Sequence, residues 1–516
     1  MTQFNLKLIL LFSLLNLSLY GTEKEAKEKT EPEVQSIIQE APTPELEALA
    51  KKYQIPVHAI SYAVHDFDSG EELLSFQSGV LMPPASVMKI PTCLYALSTL
   101  GANYRFETKL FSRGQLRNGV FVGDIYLVGG LDPQLTATKV FELALALKKM
   151  GVQKVQGQFY LDESLQPTLP SLDLLGNLDQ TYNPGLSALS VEFNRFRLMN
   201  HRGSRTTPKT GSFNLLPPLE ILQMNSSDDV FHHRQKFKWI ENPEGETWQF
   251  STHQVYHAQE EIPVRNPAVF TANLLKYFAA QFNIELPSPK KGTYIVQRRD
   301  RLIHLLQSPE LVQICESTLE YSNNLLAEKV LLAAAKKDNS KVNDLASAAG
   351  QMKAWLLKTT KDKDWEQSLL MNGSGLNLES RMSTRSLTKL LHLMKEKEFA
   401  GRSIIGLLSL SGQSGWVRNR FHSPALGYKV LVKTGSLDFT SNLSGLFFAE
   451  GGRPLFFSLF LSQPEKRLAM EESQSNTKDQ KANRGLFLEA EKFRNSSHGL
   501  TEELLEGWTK KLSLSK

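Results

Sequence analysis

The chain has 516 residues, 41% hydrophobic and 22% charged, with a net charge of +5. That length allows two or three domains with substantial cores, and the composition is that of a globular protein rather than a disordered or fibrous one. The charge is mild and carries no dense Lys/Arg block interleaved with aromatics, which argues against nucleic acid as a partner, and two cysteines, Cys93 and Cys315, read more readily as buried thiols than as a bridge.

In chain order, Lys7 precedes the apolar run Leu8 to Tyr20 and then Gly21. This has the form of a secretory signal peptide over 1–21, too short for a comfortable membrane span, and implies export to the periplasm or the outer face of the envelope. No Cys follows the run, so a lipoprotein anchor is not expected. Residues 22–43 are rich in Glu, Lys, Pro and Thr without helical periodicity and read as a linker. Thr43 as N-cap and Pro44 at the first helical position open a short helix over 45–52. The run 59–67, broken at Asp68-Ser69-Gly70 and resumed at Leu73, reads as a hairpin. The first part of an α/β domain is thus expected over 44–104.

From 105 to about 295 the chain changes to short alternating runs punctuated by Gly and Pro, with one helical patch from Lys139 to Met150. A β-rich insertion is expected there. Helical patterns dominate from Leu302 to Leu407, and strands return at 428–432, 443–448 and 454–460, so the host domain resumes over 296–495. The tail, 496–516, carries Leu500 to Trp508, which reads as a packing helix or an amphipathic helix in peripheral contact with a membrane.

The chemistry-bearing stretch is Pro83-Pro84-Ala85-Ser86-Val87-Met88-Lys89. Ser86 and Lys89 are one helical turn apart, so the amine reaches the hydroxyl and can deprotonate it if burial or nearby positive charge lowers the amine's pKa. The double Pro places Ser86 at a helix N-terminus, and Pro91 is expected to kink that helix just beyond its first turn. Four other Ser-x-x-Lys matches occur, at Ser288, Ser386, Ser475 and Ser513, so the pattern needs partners. Two follow it in order: Ser322-Asn323-Asn324, and Lys433-Thr434-Gly435-Ser436 at the end of a strand-like run. A competing Lys209-Thr210-Gly211 follows Pro208 rather than a strand and precedes the segment carrying Ser322. The small Gly435 lets substrate lie along the strand edge.

Together with Gly130-x-Asp132-Pro133, Leu186-Ser187-Ala188-Leu189-Ser190, Ala327-Glu328 and Gly373-Ser374-Gly375-Leu376, these motifs resemble the class C penicillin-binding proteins, which are D-alanyl-D-alanine carboxypeptidases and endopeptidases. The resemblance implies a transpeptidase/β-lactamase-like α/β domain, an antiparallel sheet with flanking helices and a helical subdomain, interrupted by a large β-rich insertion. It makes Ser86 the acylated nucleophile, Lys89 its base, Ser322 a proton relay with Lys433, and Asn324 a contact to the substrate amide. Ser86 and Ser436 would supply oxyanion-hole N–H groups, Thr434 and Ser436 would hold the terminal carboxylate, and Asp179 and Tyr182 would line a pocket for an amino side chain. Peptidoglycan peptides are the implied substrate and β-lactams the implied covalent inhibitors, with no cofactor or metal. Two departures are visible: Arg381 stands later than the family's Arg, and Ser411-Gly412-Gln413-Ser414-Gly415 replaces a Gly-x-Asp-Gly-Thr. A β-lactamase-type hydrolase and an inactive scaffold of the same fold are the alternatives.

Overall fold

Two sheets divide the work, one built around the nucleophile and one in the insertion. The computed structural model describes residues 41–173, 178–201, 212–227, 235–251, 259–475 and 480–513. The expected signal segment, most of the linker and Lys209-Thr210-Gly211 lie outside the described residues.

Helix α1 (Pro44–Tyr53) opens on Thr43, whose Oγ1 accepts from the Leu46 N–H at 3.2 Å. Strands β1 (Ile60–Asp66) and β2 (Glu72–Phe76) form the expected hairpin, followed by α2 (Lys89–Leu100). The insertion contributes β3 (Glu107–Arg117), β4 (Val120–Val128), α3 (Ala137–Lys149), β5 (Lys154–Gln156), β6 (Phe159–Asp162) and β7 (Arg195–His201). It continues with β8 (Ser212–Leu216), β9 (Leu222–Ser227), β10 (Phe237–Ile240), β11 (Glu246–Ser251), β12 (Gln259–Pro263), α4 (Pro267–Gln281), β13 (Pro289–Lys291) and β14 (Arg301–Gln307). Next come α5 (Leu311–Tyr321), α6 (Asn324–Asp338), α7 (Leu345–Thr360) and, after the one-turn helix Asp364–Gln367, α8 (Thr384–Leu393). The chain closes with β15 (Glu398–Phe399), β16 (Arg402–Ser403), β17 (Ser409–Leu410), β18 (Val430–Leu437), β19 (Thr440–Phe448), β20 (Pro454–Ser462), α9 (Pro464–Ser475) and α10 (Gln480–Lys511).

The host sheet is antiparallel throughout, in the order β17-β18-β19-β20-β1-β2. The two-residue period of β20 explains why both faces are covered. Phe456 and Phe460 point into a core with Leu94, Ile314, Val330, Met352 and Leu387 of the helices, whereas Leu455, Phe457, Leu459 and Leu461 point to the opposite side. There α1 and α10 close the sheet: Leu500, Leu504, Leu505 and Trp508 are buried, with the Trp508 ring 5.0 Å from that of Tyr62. Of the two readings of the tail this is the packing helix, the apolar face being spent on the sheet. The tail is also no separate segment, since α10 runs through it from Gln480.

The insertion has its own core, where α3 and α4 pack on a sheet ordered β13-β6-β4-β3-β14. Two three-stranded sheets, β10-β11-β9 and β12-β7-β8, complete it. Two features depart from expectation. Arg301–Gln307 is a strand paired with β3 rather than the start of a helical run, so the insertion's sheet includes residues to 307. Pro267–Gln281 is a helix within the strand-rich stretch, with Asn266 as N-cap and Pro267 at its first position.

Trp508→Ala should cost about 3–5 kcal/mol of stability in denaturant titration, as a buried ring removed from between sheet and helix does. A loss under about 1 kcal/mol would contradict the packing described.

Candidate active site

The nucleophile sits on a strained turn. Ser86 lies in a single 3₁₀ turn, Ala85–Met88, that runs into α2. Ala85 has φ +47, a left-handed conformation that a residue with a Cβ adopts at a cost. Asn442 of β19 holds this turn in place, donating from Nδ2 to the carbonyls of Pro83 at 2.8 Å and Pro84 at 2.9 Å. Because α2 starts at Lys89, Pro91 falls inside its first turn, where an N–H has no intrahelical partner. The expected kink is therefore absent: α2 is one helix from Lys89 to Leu100.

Lys89 is fully buried and its Nζ donates to three oxygens: Ser86 Oγ at 2.7 Å, Asn324 Oδ1 at 2.8 Å and the Ser374 carbonyl at 2.9 Å. Burial pushes its pKa down to about 7, against the opposing charge of Glu328. Glu328 is itself buried and accepts from the N–H groups of Gly373 at 2.8 Å and Ser374 at 3.0 Å. It thereby fixes the turn whose carbonyl receives Lys89. Its carboxyl is pushed up by burial, with those N–H groups pulling the other way.

Ser322 ends α5 in the left-handed region, φ 59, which turns its hydroxyl back toward β18. Lys433 Nζ donates to Ser322 Oγ at 2.9 Å and to the Thr434 carbonyl at 2.7 Å. Lys433 is also buried, and burial followed by the charge of Lys89 holds its pKa well below the usual lysine range. Asn323 is spent on helix capping, accepting from Leu326 N–H at 3.1 Å, while Asn324 faces Lys89. Asn324 also donates to the Tyr182 carbonyl at 2.9 Å, so its amide bridges the lysine and the insertion.

Gly435 serves a purpose in addition to the one expected. A Cβ there would lie 2.9 Å from the Pro84 carbonyl oxygen and 3.0 Å from the backbone nitrogens of Ser86 and Val87. Its missing side chain lets β18 press against the nucleophile turn itself.

Ser86, Ser322, Asn324, Thr434 and Ser436 open onto one cavity of about 1210 Å³, whose facing wall includes Thr181, Tyr182, Phe193 and Arg195 of the insertion. Asp179 does not belong to that wall. It is buried, its Oδ2 accepts from the N–H groups of Lys236 at 2.7 Å and Phe237 at 3.3 Å, and it holds the insertion's backbone together. Arg381 is likewise turned on its own loop, donating to the Leu378 and Ser380 carbonyls. The decoy Ser386 is buried in α8 and donates to Asp362 Oδ2 at 3.1 Å. Of the groups shaping the site, Asn442 gave no sign in sequence, standing among the other polar residues Thr440, Ser441 and Ser444 of its strand.

A family model described as D-Ala-D-Ala carboxypeptidase 3 (S13) matches residues 43–483. The D-alanyl-D-alanine carboxypeptidase DacB of Haemophilus influenzae is 22% identical over 436 residues, covering 78% of this chain and 85% of the relative. The crystal structure of penicillin binding protein 4 (dacB) from H. influenzae superimposes with a TM-score of 0.70 at 20% identity, over 81% of this chain and 93% of that one. The same protein complexed with a β-lactam gives 0.68 at 19% identity, over 81% and 93% of the two chains. The fold is thus the one the motifs implied, and the chain belongs to the D-Ala-D-Ala carboxypeptidase 3 (S13) family.

Proposed function

We infer that this chain is a penicillin-binding serine D-Ala-D-Ala carboxypeptidase that works on peptidoglycan stem peptides through an acyl-enzyme on Ser86. The observation that carries the reading is the 2.7 Å approach of a buried amine, titrating near neutrality, to the Ser86 hydroxyl. In the neutral amine state Ser86 Oγ–H donates to Lys89. Oγ attacks the carbonyl of the penultimate D-Ala, and Lys89 takes the proton. The N–H groups of Ser86 and Ser436 stabilise the oxyanion. Ser322, supplied with a proton by Lys433, protonates the departing amine of the last D-Ala as the C–N bond breaks. Lys89, which has by then passed the Ser86 proton on to Lys433, accepts a proton from the water that attacks the ester and returns it to Ser86 Oγ as the ester bond breaks, releasing the shortened peptide and free Ser86.

Thr434 and Ser436 hold the terminal carboxylate beside the Lys433 amine, with the peptide laid along the edge of β18. The cavity exceeds what a D-Ala-D-Ala end fills, which favours cross-linked peptides as additional substrates and hence endopeptidase action. Tyr182, exposed on the facing wall and tied to Asn324 through its carbonyl, is the insertion's contact to that peptide. The insertion therefore contributes to substrate choice and the host domain to bond cleavage. Export follows from the apolar run Leu8 to Tyr20 behind Lys7. Among the described residues no helix is long and apolar enough to cross a membrane.

A fluorescent penicillin should label the chain covalently. Ser86→Ala should abolish the label and lower peptide hydrolysis about 10³-fold or more, whereas Ser386→Ala should keep both. Label surviving in the first variant would refute the assignment. Acylation should also lose about tenfold in rate per pH unit below the Lys89 pKa of about 7, because only the neutral amine accepts the proton. A stopped-flow rate unchanged about two units below that value would exclude Lys89 as the base. Gly435→Ala, whose Cβ meets backbone rather than yielding side chains, should shift Ser86 and slow acylation about 10²-fold. Wild-type acylation in that variant would show that the close approach is not needed.

A further inference from the structure

The five-stranded sheet of the insertion packs its helices on one face only. Leu110, Ile125, Leu127, Phe159 and Leu161 point to α3 and α4, so the alternate residues Phe111, Arg113, Tyr126 and Tyr160 stand on the other face. The loop 292–300, between β13 and β14, crosses that second face and is fixed to it. The Tyr294 ring stacks on Phe111 at 4.4 Å, and the Tyr294 N–H donates to Asp162 Oδ2 at 2.7 Å. Arg113 Nη2 donates to the Ile295 carbonyl at 2.8 Å and to Asp300 Oδ2 at 3.0 Å, while its Nε donates to Asp300 Oδ1 at 2.8 Å. Asp300 Oδ2 also accepts from the Gln297 N–H at 2.8 Å, which closes the turn.

Held this way, the loop cannot fold its apolar tip back onto the sheet. Val296 and Ile295, 76% and 72% exposed, are the most exposed large hydrophobic residues among those described. Leu302, 50% exposed, is the cross-strand partner of Phe111 and so stands on the same side of the sheet. Around this tip lie Lys290, Lys291, Arg298, Arg299 and Arg301, all exposed. With Asp300 as the one acid, the stretch Lys290 to Arg301 carries a net +4, beside +5 for the whole chain. Asp300 is spent on Arg113, and among the described residues only Lys291 of the five cations makes an ion pair, to Glu163 Oε1 at 2.6 Å.

A soluble polyanion would reward the cations and gain nothing from Ile295 and Val296. The interface of an anionic bilayer rewards both, since the acyl boundary receives aliphatic side chains while the headgroups attract Lys and Arg. We propose that loop 292–300 is a membrane-contact site, seating Ile295 and Val296 in the interface of a bilayer with anionic phospholipid headgroups and setting Lys290, Arg298, Arg299 and Arg301 against the phosphates. The contact is peripheral, and it is independent of the reaction at Ser86, whose residues lie outside the loop.

The test places an environment-sensitive dye on Val296→Cys of the full chain, where Cys93 and Cys315 are buried and leave the new thiol as the labelled one. Reading the dye at the loop, rather than sedimentation, keeps out any binding through the apolar run Leu8 to Tyr20. On phosphatidylcholine vesicles with about 30% phosphatidylglycerol, emission should brighten and move to shorter wavelength, and the response should weaken as salt rises. The same dye on Leu393→Cys, at a site 52% exposed on α8, should keep its emission in water. Adding Arg298→Gln and Arg299→Gln to the Val296→Cys chain should raise the lipid concentration for half the response about tenfold. Water-like emission at Val296 on these vesicles overturns the proposal, as does an equal response at Leu393 or a response that the arginine pair leaves unchanged. An equal response to soluble inorganic polyphosphate would make the loop a polyanion site and overturn the bilayer contact.

Discussion

The site depends on the burial of a lysine amine that has hydrogen-bond acceptors but, among the described residues, no ion-pair partner within contact. Lys89 meets two neutral oxygens besides Ser86, from Asn324 and Ser374, and these satisfy its N–H groups without the full charge that would keep it protonated. Glu328 supplies a weaker, more distant attraction while spending its own oxygens on Gly373 and Ser374. The balance leaves an amine poised near neutrality. Lys433, buried nearby, feels the charge of Lys89 in turn, which together with burial holds its own amine well below the usual lysine range.

Holding that amine 2.7 Å from a hydroxyl requires three elements from distant parts of the chain to meet. The nucleophile turn is strained at Ala85 and pinned by Asn442, the β18 backbone presses against it at Gly435, and the turn at Gly375, with φ +75, closes beneath it. A Cβ at Gly375 would lie 1.9 Å from the Ala85 carbonyl oxygen. The strain is offset by the packed sheet, whose two faces are covered by helices on either side. The terminal helix α10 closes the core on one of them through Leu500, Leu505 and Trp508.

How much of this was legible in the chain follows from range. Ser86 and Lys89 are one turn apart, and any local helical geometry brings them together, so their pairing was readable. Ser322, Asn324 and Lys433 were readable through order and through the strand-like run that leads into Lys433, which continues as β18 to Leu437. Gly435 was visible as a glycine but its reason was not, because the atoms it accommodates belong to a turn far away in sequence. Asp179 was misplaced for the same reason: which way a loop carboxylate points depends on the backbone of Lys236 and Phe237, which the sequence does not bring near. Helix Pro267–Gln281 had its start signals, Asn266 and Pro267, yet lay among short runs that read as strands. The faces of α10 were ambiguous, since an amphipathic stripe serves a sheet as well as a membrane.

The central claim is the protonation state of Lys89, and it is open to direct observation. In chain labelled with ¹³C at lysine Cε, one resonance that disappears in Lys89→Met should titrate with a midpoint near the pKa of about 7 that burial gives it. If the resonance lost in that variant instead titrates in the ordinary lysine range, the amine is charged at neutral pH, and Lys89 cannot be the base that activates Ser86.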